Sequence, residues 1–149
     1  YLDSSALVKR YIAESGSIWL ADVVAPESGN AIHISVIAGA EVVAAFARRQ
    51  RAGGLTAEEV ARAVYEFQDD WANQFEVVGI DRALIGEAMI LARRHSLRGY
   101  DSVQLASAME LRELAQAEGT PIRLLSADDE LNAAAIAEGL AVENPNLHP

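Results

Sequence analysis

The chain has 149 residues, a net charge of −10, 51% hydrophobic residues and no cysteine. This length predicts one folded domain over residues 1–149, and the lack of cysteine excludes disulfides, thiolate metal sites and cysteine nucleophiles. The acidic charge argues against a broadly basic surface for nucleic acid, and the three scattered histidines argue against a zinc hydrolase. No apolar run is long enough to predict a membrane span, so we expect a cytoplasmic protein.

Short β-like runs alternate with helical segments in the first half of the chain. A first helical segment follows directly on a short apolar start, and Gly16 interrupts it. The predicted order is the end of a strand at 1–2, helices at 4–13 and 18–24, a strand at 31–35 and a helix at 36–50.

The same alternation continues in the second half. Thr56 and Glu59 have the spacing of a capping box, Asp81 is placed to cap a helix, and Gly139 is placed to end one. The predicted order is a helix from 56 to about 73, a strand at 76–80, a helix after 81, a helix at 100–117, a strand at 121–125, a helix at 128–138 and a strand at 140–142. Strands that alternate with helices predict an α/β fold with a central, mostly parallel sheet between helices.

Four acidic residues follow predicted strands or begin predicted helices. Asp3 comes directly after the first strand, and Asp128 comes shortly after the strand at 121–125. Asp101 opens a helix, and Glu41 lies about one turn beyond the strand at 31–35. Because ligands of open α/β sheets collect beyond the carboxyl ends of the strands, we expect these acids to meet there.

Helix capping is the alternative role for three of these acids. Aspartate is a favoured N-cap residue, so Asp3 and Asp101 could serve only to begin their helices. Ser126 and Asp129 could form a capping pair of their own, which would leave Asp128 as an acid of the first helical turn.

Glu41 is harder to explain as an ordinary surface residue. Its neighbours in the helix are almost all Ala and Val, so its carboxylate is expected to be partly buried. A buried carboxylate is costly unless it is paired with a cation or binds a metal. A long-range salt bridge is therefore the alternative to a metal site.

Clustered carboxylates suit the chemistry of phosphodiester cleavage. Carboxylate oxygens are the ligands of Mg²⁺ and Mn²⁺, and such ions activate water and stabilise an in-line displacement at phosphorus. The candidate RNA contacts are basic clusters, each of which could equally be a solvated helix face: Lys9-Arg10, Arg48-Arg49-Arg51, and Arg93-Arg94 with His95 and Arg98. The serines beside the acids either orient carboxylates and water or serve ordinary turns, and these are Ser4, Ser5 and Ser126.

Four segments resemble motifs of PIN domains of the VapC toxin type. Residues 1–11 resemble the opening motif, and residues 35–42 resemble the segment that carries the family's glutamate. Residues 98–108 resemble the third acidic motif, and residues 124–134, followed by 138–140, resemble the closing motif. These segments occur in family order over essentially the whole chain, which makes the resemblance more specific than any single motif.

The resemblance implies a Rossmann-like three-layer PIN domain with a metal-binding, catalytic quartet made of Asp3, Glu41, Asp101 and Asp128. It implies a Mg²⁺- or Mn²⁺-dependent endoribonuclease, the toxin of a VapBC-type toxin–antitoxin pair. It also implies a homodimer and a VapB-like antitoxin that places a basic side chain in the acidic pocket. The RNA target, the number of metal ions, the antitoxin and the roles of Ser5, Ser126 and Asp129 stay open.

Two other functions are compatible with acids at the edge of a parallel sheet. One is a Mg²⁺-binding phosphoacceptor of the response-regulator kind, but that class needs a lysine after a late strand, and Arg123 is the only basic residue near the strand at 121–125. The other is a binding module that keeps the PIN fold without activity. The acidic identity of all four matched positions argues against such a loss of activity.

Overall fold

The computed structural model describes residues 1–148 and contains four three-residue strands. Strand β1 (His33–Ser35) pairs with β2 (Glu76–Val78), and β3 (Arg123–Leu125) pairs with β4 (Ala141–Glu143). Both pairings are parallel. The strands therefore agree with the predicted parallel arrangement.

The first residues of the chain lie between the two pairs of strands. The Leu2 amide donates to the His33 carbonyl at 2.9 Å, and the Asp3 amide donates to the Leu125 carbonyl at 3.0 Å. Leu2 also forms an isolated parallel bridge with Leu125. These bonds join β1 to β3 through residues 1–3, so the carboxyl ends of all the parallel segments lie along one edge.

Seven α-helices and three short 3₁₀ segments surround these strands in the described part of the chain. The helices are α1 (Ser4–Leu7), α2 (Ser17–Val24), α3 (Ala38–Arg51), α4 (Ala57–Asn73), α5 (Arg82–His95), α6 (Gly99–Ala117) and α7 (Asp129–Ala137). The 3₁₀ segments are Val8–Arg10, Pro26–Ser28 and Pro145–Leu147. Strands that alternate with helices confirm the predicted α/β class.

Buried side chains form one cluster on each face of the strands. Leu2 and Leu125 belong to the cluster under α1, α3 and α4, whereas Tyr1 and Leu124 belong to the cluster under α5, α6 and α7. Successive residues of a strand point to opposite faces, and here each face is covered by helices. No helix within residues 1–148 has the length and hydropathy needed to cross a membrane.

The first predicted helix is shorter in the structure than its sequence pattern indicates. It was expected over 4–13, but α1 ends at Leu7 and a 3₁₀ turn continues only to Arg10. Ser17 supplies a reason, because its hydroxyl donates to the Lys9 carbonyl at 2.7 Å and accepts from the Glu14 amide at 2.9 Å. These contacts fold the chain back before another helical turn forms.

Candidate functional site

All four acids singled out in the sequence line one cleft of about 440 Å³ at the carboxyl edge of the strands. Asp3 reaches the cleft from the N-terminus of α1, and Glu41 reaches it from the first turn of α3. Asp101 lies in the first turn of α6, and Asp128 precedes α7. Residues up to 125 positions apart in sequence, from Asp3 to Asp128, therefore share one cavity.

Asp3 is the most deeply placed of these acids, with 4% of its surface exposed. Its carboxylate accepts hydrogen bonds from the Ser5 amide at 3.0 Å, from the Ser5 hydroxyl and from the Ser126 hydroxyl at 3.2 Å. Burial raises the pKa of Asp3 to about 6, and the negative charge of Glu41 adds to the rise while these hydrogen bonds oppose it. Asp3 also caps α1, so the capping and cleft roles coincide in one residue.

Glu41 is held by neutral donors. Its Oε2 atom accepts from the Ser4 hydroxyl at 2.6 Å and from the Gln104 side-chain amide at 2.6 Å. No ion pair involves Glu41 within residues 1–148, so the long-range salt bridge considered for it is not present there.

Gln104 is a site residue that the sequence interpretation missed. It is fully buried, and besides Glu41 it contacts the Ser4 hydroxyl at 2.9 Å and accepts from the Tyr1 hydroxyl at 2.5 Å. Its position three residues after Asp101 places both side chains on one side of α6. A glutamine in this otherwise apolar stretch was the signal available from the sequence.

Asp101 and Asp128 share one guanidinium group. The Nε atom of Arg98 donates to Asp101 at 2.7 Å, and an Nη atom of the same side chain donates to Asp128 at 2.7 Å. Burial raises the pKa of Asp101, the bond from Arg98 opposes this, and the charge of Asp128 adds to the rise. One cation thus already bridges two of the four acids.

The structure confirms a capping role for Asp128 and contradicts one for Asp101. Asp101 does not cap α6, because the N-cap position belongs to Arg98. Asp128 is itself the N-cap of α7 and accepts from the Leu131 amide at 3.0 Å, whereas Ser126 accepts from the Asp128 amide at 3.1 Å. The proposed pair of Ser126 with Asp129 is therefore wrong.

The serines beside the acids connect the elements that form the cleft. Ser5 accepts from the Ala127 amide at 2.9 Å, which ties α1 to the segment after β3, and Ser4 ties α1 to Glu41. No histidine is among the described residues that line the cleft. These hydroxyls donate to carboxylates, and none of them is paired with a histidine base.

The four carboxylates are arranged as two neighbouring sets. Within residues 1–148, no three acidic or histidine side chains lie close enough together to hold one ion. Asp3 and Glu41 are held by hydroxyl and amide donors, and Asp101 and Asp128 are held by Arg98. The donor set nevertheless suits a hard divalent cation, because it consists of carboxylate oxygens and one pair already accommodates a positive group.

Four basic residues also line the cleft, namely Lys9, Arg48, Arg49 and Arg98. Other candidate RNA contacts are engaged elsewhere: Arg10 pairs with Asp70 at 2.6 Å, and Arg94 pairs with Glu138 at 2.7 Å. Among the cleft cations, Lys9 and Arg49 both pair with Glu14. The acidic floor of the cleft is therefore bordered by positive charge.

Comparison with known proteins identifies the family of the chain. A family model described as the PIN domain matches residues 1–137. Ribonuclease VapC45 of Mycobacterium tuberculosis (strain CDC 1551 / Oshkosh) is 36% identical over 155 aligned positions, which cover 100% of this chain and 97% of that relative. Ribonuclease VapC49 of strain ATCC 25618 / H37Rv is likewise 36% identical, with the same coverage. The chain belongs to the PIN-domain family, as its four sequence motifs and its parallel α/β architecture indicated.

Proposed function

We propose that this chain is a metal-dependent endoribonuclease that acts as the toxin of a VapBC-type pair in the cytoplasm. The observation that carries the proposal is the convergence of four carboxylates, distant in sequence, on one cleft at the carboxyl edge of the strands. Membership of the PIN family and full-length similarity to two proteins named ribonuclease support it.

Asp3, Glu41, Asp101 and Asp128 are the residues that would hold Mg²⁺ or Mn²⁺. Such an ion, when bound, lowers the pKa of a water molecule and offsets charge on the scissile phosphate. The side chains around the acids keep two of the carboxylates in place: Ser5 and Ser126 orient Asp3, and Gln104 orients Glu41.

Arg98 controls access to the other two acids. Its guanidinium covers oxygen atoms of Asp101 and Asp128, so those atoms become available for other ligands only when the side chain turns outward. The Arg98 side chain is 68% exposed, which leaves room for this movement. Once released from the acids, the guanidinium is placed to contact an RNA phosphate at the mouth of the cleft.

The resemblance to VapC toxins supports two protein partners. One is a second copy of this chain in a homodimer, and the other is a VapB-like antitoxin. The acidic cleft is complementary to a basic side chain of an antitoxin, because Asp101 and Asp128 already bind the guanidinium group of Arg98.

The test is cleavage of fluorescently labelled single-stranded RNA with Mn²⁺, Mg²⁺ or EDTA. We expect cleavage only with a divalent cation. Asp101→Asn should reduce the cleavage rate by more than about 100-fold, because mutation of residues that merely support metal ligands commonly reduces metal affinity or activity by 10- to 100-fold. Asp129→Asn is the matched control, since Asp129 is exposed and does not line the cleft. Cleavage that persists in EDTA, or in a folded Asp101→Asn protein, contradicts the proposal.

A further inference from the structure

A second groove of about 490 Å³ lies beside the acidic cleft, between α3 and the beginning of α6. It shares Glu41 and Asp101 with the cleft, and Arg48 and Arg98 line both cavities. The two cavities are therefore neighbours along one surface. A chain molecule whose reacting bond lies in the cleft would extend into this groove.

The groove combines a smooth floor with one exposed aromatic ring. Ala40 and Ala44 are one turn apart on α3, so their methyl groups lie on the same side of the helix. Tyr100 borders the groove from α6 with 61% of its surface exposed. Its hydroxyl makes no hydrogen bond within the described residues. A flat ring can therefore enter beside Tyr100 without displacing a large side chain.

Positive charge is available on this surface. Arg48 is exposed, and among residues 1–148 no carboxylate forms an ion pair with it. Arg98 stands at the boundary with the cleft, where its guanidinium meets Asp101 and Asp128. The groove therefore carries an exposed arginine that has no ion pair together with an exposed aromatic ring.

We propose that this groove binds a nucleotide of single-stranded RNA next to the scissile phosphate. Tyr100 stacks on the base, and Arg48 and Arg98 contact the flanking phosphates. Single-stranded RNA is commonly bound by aromatic stacking combined with cationic contacts to its backbone. The proposal rests on the ribonuclease function, and it adds the residues that hold the nucleotide beside the scissile bond.

The test measures binding of a fluorescein-labelled, random-sequence RNA decamer by anisotropy in EDTA. We expect Tyr100→Ala to weaken binding by about 10-fold, since stacking on one aromatic side chain contributes about 1–3 kcal/mol per base. Tyr100→Phe keeps the ring and should bind like the parent protein. Tyr65→Ala is the matched control, because Tyr65 is 72% exposed on α4 and lines neither cavity.

Salt dependence tests the cationic part separately. We expect Arg48→Ala to reduce the slope of log affinity against log salt by about 0.7, the value of one phosphate contact to a single strand. Arg51→Ala removes the same charge from α3 outside the groove and should leave the slope unchanged. Equal slopes in the two variants would show that Arg48 does not contact an RNA phosphate.

Crosslinking locates the base directly. With 4-thiouridine in the RNA, we expect an adduct on the tryptic peptide 99–112, which contains Tyr100. If the parent protein cleaves RNA but Tyr100→Ala binds as tightly as Tyr65→Ala, the groove proposal fails and the ribonuclease stands. If Tyr100→Ala instead changes the oligomeric state in sedimentation, a second copy covers the groove and the proposal also fails. A parent protein that neither binds nor cleaves RNA overturns both proposals.

Discussion

Asp3 differs from the other cleft acids in its burial. It is almost fully buried, whereas Glu41, Asp101 and Asp128 are only partly buried. Its three hydrogen-bond donors do not outweigh the cost of removing its charge from water, so its pKa rises from 3.8 to about 6. The native state therefore binds this proton more tightly than the unfolded chain does.

Asp3→Asn should stabilise the metal-free protein at neutral pH. Between pH 3.8 and about 6 the native state holds the Asp3 proton that the unfolded chain has lost, so the free energy of unfolding of the parent falls as pH rises through this window. Above pH 6 the free energy of unfolding of the variant should therefore exceed that of the parent by about 3 kcal/mol, and near pH 4 the two should be equal. Urea unfolding in EDTA across this range measures the difference.

Asp129→Asn provides the comparison for this pH dependence. Asp129 is exposed, so its replacement should change the free energy of unfolding by no more than about 0.5 kcal/mol at any pH. A difference between the Asp3 variant and the parent that does not grow with pH would show that burial of the Asp3 charge has no net cost.

Helix α6 links the two sets of acids at the scale of secondary structure. Its first turn presents Asp101 to the cleft, and Gln104, one turn later, reaches Glu41 on α3 and Ser4 on α1. Displacement of this helix would therefore disturb both sets together.

The position of α2 depends on a different feature, the turn at Gly16.

Gly16→Ala should destabilise the junction between α2 and the C-terminal 3₁₀ segment. Gly16 has φ of 83°, and a Cβ atom there would collide with the backbone carbonyl of Pro145. Gly29 has φ of 72° but open space around it, so Gly29→Ala carries the backbone strain alone, about 1–2 kcal/mol. We expect Gly16→Ala to cost at least about 2 kcal/mol more than Gly29→Ala in urea unfolding.

Equal costs for the two glycine variants would contradict this prediction. They would mean that the Pro145–Leu147 segment moves aside without loss of stability. Circular dichroism of both proteins at low denaturant checks that each keeps its helices before the comparison is made.

The whole molecule carries a net charge of −10, and five of its acids line one cleft, namely Asp3, Glu14, Glu41, Asp101 and Asp128. Like charges gathered in a partly buried cavity repel one another, and Arg98 relieves only the pair on its side. A divalent cation that binds only the folded state would reduce the remaining repulsion among the carboxylates. It would also stabilise the fold by mass action.

Mn²⁺ should therefore raise the melting temperature. At about 100 times its dissociation constant the ion contributes about 2.7 kcal/mol, which corresponds to about 5–10 °C for a chain of this size. Arg98→Ala should bind Mn²⁺ more tightly in calorimetry, because no guanidinium then competes for Asp101 and Asp128. Differential scanning calorimetry and isothermal titration measure the two effects.

Two further samples separate specific binding from screening. Asp128→Asn should lose most of the temperature shift, whereas Asp129→Asn should keep it. NaCl at matched ionic strength should produce a much smaller shift, because screening acts on all exposed charges alike. An equal shift with NaCl and Mn²⁺ would contradict a metal site in the cleft.

The sequence by itself determined the class of fold and the order of its elements. Hydrophobic periodicity, the capping box of Thr56 with Glu59 and the stop at Gly139 depend on residues a few positions apart, and they predicted the parallel strands and most helices. The same short-range patterns predicted that Asp3 and Asp128 follow strands. The structure shows both in one cleft with Glu41 and Asp101.

Only the tertiary structure decided which distant residues those acids contact. Arg98 bridges Asp128 across 30 residues, and Gln104 reaches Glu41 across 63. Periodicity carries no information on contacts at such separations, because they depend on how helices pack around the strands. For the same reason the sequence allowed Glu41 to be an ion pair, whereas packing gave it the neutral donors Ser4 and Gln104. Asp101 is paired locally, with Arg98 three residues earlier, and this contact takes the place of a capping role.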